Sequence, residues 1–261
     1  MVEWIDTHAH LFNEELLSQI DDVLARAAEA EVVQVVAIGT TLEDSRICVD
    51  LAERFSQVYA SVGIHPNHSA EAKPGDLNEI EKLLSHPKVV AIGETGLDRY
   101  WDYAPIELQK EFLQWHLEKS RQYGKPLVIH TRECQADIEE FLDTAGATGP
   151  INGILHSFTG DAALAAKACR LGMHISFAGM LTFKRNQELR DAAKTVPLDR
   201  LLVETDCPYL SPEPLRKQRP NEPALVVHTG ACLAEQHGMS AAEMARITTA
   251  NARRLFALLE A

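Results

Sequence analysis

Six side chains able to bind a metal ion stand at the ends of short apolar runs: His8, His10, Glu94, His130, His156 and Asp206. His8 and His10 are two positions apart, and side chains two apart on a strand point the same way. Their imidazoles can therefore donate to one cation. Alone, such a pair is an ordinary strand-end feature; four further ligand-type residues at equivalent positions change the reading. Glu94 lies in Ile92-Gly93-Glu94-Thr95-Gly96. Glycines let backbones approach closely, and a carboxylate can bridge two metals through its two oxygens. His130 ends Leu127-Val128-Ile129 and His156 ends Ile154-Leu155. Either alone reads as a buried neutral histidine, but together on neighbouring strands they suggest a second metal position. Asp206 closes Leu201-Leu202-Val203-Glu204-Thr205, where it can bind a metal and accept a proton from the metal's water. Asp6 and Glu204 share the inward parity of His8 and Asp206, one layer deeper. A buried carboxylate needs a partner, and the distal N–H of a metal-bound imidazole would supply one. Imidazole and carboxylate donors suit zinc, manganese or another transition ion, and a carboxylate-bridged site also admits magnesium. Two divalent ions (Mg, Mn or Zn) are the expected cofactors.

These residues are useful only if the chain brings them together. Strand patterns run over Glu3 to Ala9, Val32 to Ile38, Val58 to Ile64, Lys88 to Glu94, Pro126 to His130, Asn152 to His156, Met173 to Ala178 and Arg200 to Asp206. Helical patterns lie between them. The first places Leu16, Leu17, Ile20, Val23, Leu24 and Ala27 on one face. Asp76 with Glu79, and Ser240 with Glu243, read as helix-capping pairs. Near-continuous apolar strands alternating with helices indicate a parallel sheet covered on both faces. Eight such units predict an α/β fold, a (β/α)8 TIM barrel, as one domain over residues 1–261. A doubly wound open sheet is the alternative, but the first strand–helix turn lacks its glycine-rich fingerprint. In a parallel barrel all six side chains would meet at the C-terminal mouth, the face that carries chemistry.

The chain has 261 residues, 46% hydrophobic and 24% charged, with a net charge of −13. That balance excludes broad electrostatic capture of nucleic acid, which needs a basic face, but not local phosphate binding. Five cysteines, Cys48, Cys134, Cys169, Cys207 and Cys232, are widely spaced with no Cys-x-x-Cys pair. They read as reduced thiols. Met1 leads directly into an acidic, strand-like start without the pattern of a signal peptide, and no apolar run approaches the ~20 residues of a spanning helix. The expectation is a cytoplasmic protein with no membrane association and no obligate protein partner.

The runs Asp6-Thr7-His8-Ala9-His10, Val62-Gly63-Ile64-His65-Pro66, Gly93-Glu94-Thr95-Gly96-Leu97-Asp98, His130-Thr131-Arg132, His156-Ser157-Phe158-Thr159-Gly160, Glu204-Thr205-Asp206-Cys207-Pro208-Tyr209-Leu210 and Asn221-Glu222-Pro223 together resemble the TatD family of metal-dependent deoxyribonucleases, amidohydrolase-like barrels. The resemblance covers essentially the whole chain, in order. It implies one ion on His8, His10, Glu94 and Asp206 and another on Glu94, His130 and His156. It further implies exonuclease action on DNA from the 3′ end, with His65 and Arg132 near the scissile phosphate. Read alone, His65 is a turn histidine before Pro66 and Arg132 a loop arginine paired with Glu133. One departure stands out: Gln218 occupies a place where the family usually has glycine, in a basic run before Asn221. A glycine-specific backbone geometry is then in doubt there.

The chemistry expected is two-metal phosphodiester hydrolysis, with Asp206 as general base and Glu94 as bridge. Lys184, Arg185, Arg216, Lys217 and Arg219 can grip flanking phosphates, although solvated surface charge is the ordinary role of each. The expected partner is a DNA substrate, single-stranded or at a 3′ end. The same barrel and metals acting on a non-nucleic-acid ester, amide or small phosphoester remain an alternative, because fold alone does not choose a substrate. A non-catalytic role with structural ions is a third reading, opposed by the complete ligand set.

Overall fold

A computed structural model describes residues 2–258, so the expected domain of 1–261 begins and ends outside the described residues. Eight strands run in chain order: β1 (Trp4–Ala9), β2 (Val32–Ile38), β3 (Val58–Val62), β4 (Val89–Asp98), β5 (Leu127–Arg132), β6 (Gly153–Leu155), β7 (His174–Phe177) and β8 (Leu201–Val203). Each pairs in parallel with the next. The ends meet through a parallel bridge between Ala9 and Cys207, where His10 N–H donates to Cys207 C=O and Asp206 N–H to His8 C=O. The sheet therefore closes into a barrel, and the open doubly wound alternative falls.

Both faces of the strands are apolar because both are covered. Val36, Ile38, Val90, Val128, Ile154 and Leu202 point into the barrel. Val35, Ala37, Ile129, Leu155 and Val203 face the helical shell. The inner cluster is closed from below by the helix Ala241–Phe256, which lays Ala252, Leu255 and Phe256 against it. Ser240 and Glu243 form the expected capping box at its start. A helix plugging the base leaves only the C-terminal mouth open to a substrate.

Local departures have local causes. The first helical stretch splits into Glu14–Leu17 and Ile20–Glu29, and Leu17 is only partly buried. Asp76 is not a cap: Gly75 precedes the helix Asp76–Leu83 in a left-handed conformation, and the Asp76 carboxylate turns back to accept the Lys73 N–H. Strand β4 runs four residues past Glu94, to Asp98, because Gly93 and Gly96 allow β5 to approach. A Cβ on Gly96 would sit 2.1 Å from His130 C=O, and one on Gly93 2.5 Å from Val128 C=O. Strand β8 is shorter than expected, and past its end the Glu204 N–H still donates to Phe177 C=O of β7 and the Asp206 N–H to His8 C=O of β1.

Candidate metal centre

The barrel brings all six side chains to its mouth. His8 Nε2 lies 3.2 Å from His10 Nε2 and 3.4 Å from Glu94 Oε2. Asp206 Oδ1 is 3.3 Å from His10 Nε2 and 3.7 Å from His8 Nε2. The other carboxylate oxygen of Glu94, Oε1, meets His156 Nε2 at 2.8 Å and His130 Nδ1 at 3.1 Å. Glu94 thus stands between two pairs of imidazoles. Asp206 reaches the centre from a left-handed backbone, φ 56°, a conformation aspartate tolerates better than most residues. It is the more solvent-accessible of the two carboxylates, with 14% of its side chain exposed against 3% for Glu94.

Hydrogen bonds on the far sides of the rings set which nitrogen faces inward. His10 Nδ1 lies 3.2 Å from Ile38 C=O, His156 Nδ1 3.2 Å from Glu204 Oε1, and His130 Nε2 3.1 Å from Asp98 Oδ2. Each of these partners can only accept, so each outer nitrogen carries the proton. Neutral rings then aim lone pairs at the centre, toward a carboxylate that also only accepts. Glu94 Oε2 is buried with no hydrogen-bond partner at all. A crowd of inward acceptors around an orphaned carboxylate oxygen fits a cation, which satisfies them together. Three overlapping triads have donor atoms within 4.8 Å of one another: His8, Glu94 and His156; His8, His10 and Asp206; His65, Glu94 and His130.

The charges follow the same geometry. Burial alone would raise the Glu94 carboxyl, but the histidines gathered around it, His156 and His65 foremost, hold it well below the ordinary range. Burial also opposes ionisation of Asp98, yet His130 and the Trp101 and Tyr100 amides bring it down to about 2. His65 is the odd member. Its Nδ1 accepts the Asn67 N–H, so its inward Nε2 is a donor, 3.4 Å from Glu94 Oε1. Burial pushes it down to about 4. A neutral ring presenting N–H suits an anionic oxygen better than a metal.

Glu204 sits where expected, beneath His156, and also accepts from Ser157 N–H and Ser176 Oγ–H. Asp6 does not. Its carboxylate accepts from the His8 and Thr205 amides and the Thr205 hydroxyl and touches no imidazole nitrogen. The cause is a register shift in β1 between Asp6 and Ala9. Strict alternation therefore breaks, and Asp6 instead ties β1 to the chain leaving β8. Burial raises its carboxyl to about 7.

Arg132, at the end of β5, has no pairing with Glu133; its guanidinium lies 3.7 Å from the Tyr100 ring centre. Gln218 keeps a negative φ, and its backbone closes a turn on Leu215 C=O, so no glycine geometry is needed there. In the same loop Arg219 is spent on Ser211 Oγ and the Arg216 carbonyl, while Arg216 stacks on Phe183 at 4.0 Å. Asn221 fastens the loop to Thr205 and Tyr209 carbonyls, and Glu222 pairs with Arg26.

Two supporting residues escaped the sequence reading. Asp98 orients His130; its signal was an even spacing of four from Glu94 on one strand. His116, on the helix Ile106–Tyr123, accepts the Ile64 N–H just before His65 and donates Nδ1–H to Phe112 C=O. Nothing in its local sequence pointed there.

Comparison with known proteins agrees with this arrangement. A family model described as TatD related DNase matches residues 5–257. The chain is 38% identical over 251 residues to the uncharacterized metal-dependent hydrolase YabD of Bacillus subtilis, covering 96% of this chain and 98% of that one. It is 40% identical over 255 residues to the uncharacterized metal-dependent hydrolase YcfH of Escherichia coli K12, covering 97% and 95%. Among solved structures, YJJV, a TatD homolog from Escherichia coli K12, superposes with a TM-score of 0.92 at 28% identity, covering 99% of both chains.

Proposed function

Because the chain belongs to the family of TatD-related DNases and is a metal-dependent hydrolase, we propose that it cleaves phosphodiester bonds of DNA, as a 3′–5′ exodeoxyribonuclease using two divalent ions (Mg, Mn or Zn). The observation that carries this reading is the division of Glu94: one oxygen faces His130 and His156, the other His8 and His10. His8, His10, Glu94 and Asp206 would hold one ion, and Glu94, His130 and His156 the other. Ions bound there would supply Lewis acidity to the phosphoryl group and lower the pKa of water.

The chain's own residues have distinct tasks. Asp206, the accessible carboxylate, takes the proton of the attacking water. Glu94 stays ionised and buried as the bridge. His65 offers Nε2–H, and Arg132 its guanidinium, to the phosphoryl oxygens as negative charge builds there. Glu204 and Asp98 keep His156 and His130 in the tautomers that turn lone pairs inward. Asp6 fastens β1 to β8 and so sets the position of His8. Lys184 and Arg185 follow β7, Arg216 and Lys217 follow β8, and they would offset a net charge of −13 for a polyanionic strand. That net charge also favours a second reading, an uncharged ester, an amide or a small phosphoester as substrate. Among the described residues no helix is long and apolar enough to cross a membrane, and five free cysteines fit action in the cytoplasm. The whole chain, 1–261, would act as one domain without an obligate partner.

The test is metal-stripped enzyme reconstituted with magnesium, manganese or zinc on 3′-labelled single-stranded DNA, beside a panel of esters and amides. Metal-dependent release of 3′ nucleotides is expected. Glu94→Ala and Asp206→Ala should each lower it by at least about a thousandfold with the circular dichroism spectrum retained. Wild-type rates in both folded variants would sink the mechanism, and turnover of an ester or amide alone would favour the second reading.

A further inference from the structure

The mouth of the barrel carries a second feature that the metal centre does not use. Among the described residues five large hydrophobic side chains are strongly exposed: Tyr100, Trp101, Tyr103, Leu198 and Tyr209. Four are aromatic, and all four follow the C-terminal ends of β4 or β8, beside the metal centre. They are ordered relative to one another. Trp101 and Tyr103 are stacked, centroids 5.3 Å apart and planes within 12°. Tyr100 meets Trp101 edge-on at 4.7 Å. The Arg132 guanidinium lies 3.7 Å from the Tyr100 centroid and 5.7 Å from that of Trp101.

This loop is tied directly to the centre. Asp98, whose Oδ2 holds His130, accepts the Tyr100 and Trp101 amides through Oδ1. Arg132 is two residues beyond His130 on β5. Opposite them, the Tyr209 ring lies 6.2 Å from that of His10, three residues after Asp206. Exposed aromatic faces cost solvation, and these four side chains remain 41–59% exposed.

We propose that Trp101 and Tyr103, with Arg132 seated on Tyr100, form a stacking platform for an unpaired nucleobase beside the phosphodiester at the metal centre, and that Tyr209 faces a second base across the mouth. The inference rests on the phosphodiesterase reading above. Aromatic faces accept any base, and an arginine between ring and backbone pairs the neighbouring phosphate. The platform would thus add π-faces and one ring-seated cation to the hold that the basic residues Lys184, Arg185, Arg216 and Lys217 have on the strand.

Two variants, Trp101→Ala and Tyr103→Ala, lie on an exposed loop and leave the barrel core untouched. The probes are metal-loaded enzyme with a short single-stranded oligonucleotide, and the same backbone with abasic residues replacing the last bases. Binding is read by anisotropy of a labelled strand and, in wild type, by the tryptophan quenching that Trp101→Ala removes, since Trp4 and Trp115 also fluoresce; cleavage is read by KM and kcat. For wild type, the abasic strand should bind about 10- to 100-fold more weakly. Trp101→Ala should weaken the intact strand by a similar factor, chiefly in KM, and make no further difference to the abasic one. If both strands bind wild type equally, or Trp101→Ala leaves the intact strand unaffected, the platform is wrong even where DNA is cut. If the quench depends on bases but no strand is cut, the platform stands and the nuclease reading fails. A monomer–dimer equilibrium abolished by Trp101→Ala, with unchanged oligonucleotide binding, would assign the aromatics to self-contact and overturn the proposal.

Discussion

The two ends of the barrel solve different problems with the same strands. At the base, Ile5, Val36, Val90, Val128, Ile154 and Leu202 meet Ala252, Leu255 and Phe256 of the last helix. The contacts among these side chains have no direction, and their stability comes from area removed from water and from close packing; Asn251 and Thr249 add hydrogen bonds at the rim, to the Leu198, Leu201 and Glu3 carbonyls. At the mouth, a few residues further along, the inward positions are Glu94, His130, His156 and Glu204, and every contact is directional. A buried polar group costs free energy unless its bonds are made, so the rings of His10, His130 and His156 depend on the acceptors behind them, while His8 Nδ1 is buried with no hydrogen-bond partner. One end is built for stability and the other for a ligand, and substitutions should separate them.

The largest separation is expected at the base. Phe256→Ala removes a buried ring from the plug and should cost about 3–5 kcal/mol of unfolding free energy, read by urea denaturation. Turnover per folded molecule should change little, because the centre lies at the opposite end. Loss of activity without loss of stability would erase the distinction drawn here.

Next in size is a pH effect at the mouth. Burial holds His116 down to about 4 from 6.5. The unfolded chain therefore binds a proton between these values and the folded one does not, so stability rises with pH across that window. The contribution is complete above about 6.5 and lost as pH falls through about 4, roughly 3 kcal/mol in all. His116→Gln should flatten the stability profile between pH 4 and 6.5 by up to one proton, while Phe256→Ala should leave its slope as in wild type. Parallel wild-type and His116→Gln profiles would show that this ring does not titrate between the two states.

Smaller again is the effect of the residues behind the imidazoles. Glu204→Gln and Asp98→Asn each leave the inward donors in place but unset one tautomer. Metal affinity by calorimetry should fall about 10- to 100-fold in each. Unchanged affinity in both would mean that the rings are oriented by packing alone. The smallest effect belongs to Ser240→Ala, which removes the cap of the plugging helix. It should lower stability by about 1 kcal/mol and leave metal affinity untouched.

These cases also divide what could be read in advance. The eight apolar runs and the ligand-type residue after most of them were visible in order, because in a parallel barrel every strand end faces one way. His8, His10, Glu94, His130, His156 and Asp206 needed no contact information to be grouped. Asp6 was misplaced because its pairing depends on a register shift within β1, which alternation does not reveal. Asp98 was overlooked because β4 runs past Glu94 only where glycines admit β5.

By itself, then, the amino-acid order determined which residue types arrive at the mouth and that they arrive together; periodicity and chain direction suffice for that. Tertiary structure alone decided which nitrogen of each ring turns inward, why His65 offers a proton where His130 offers a lone pair, and how Tyr100, Trp101 and Tyr103 gather around Arg132. The ring orientations hang on Ile38 for His10 and Glu204 for His156, both distant in the chain, and on Asn67 for His65, only two residues on but placed by a tight turn. Hydrogen-bond direction is set by where such partners finally stand, and local pattern carries no record of it.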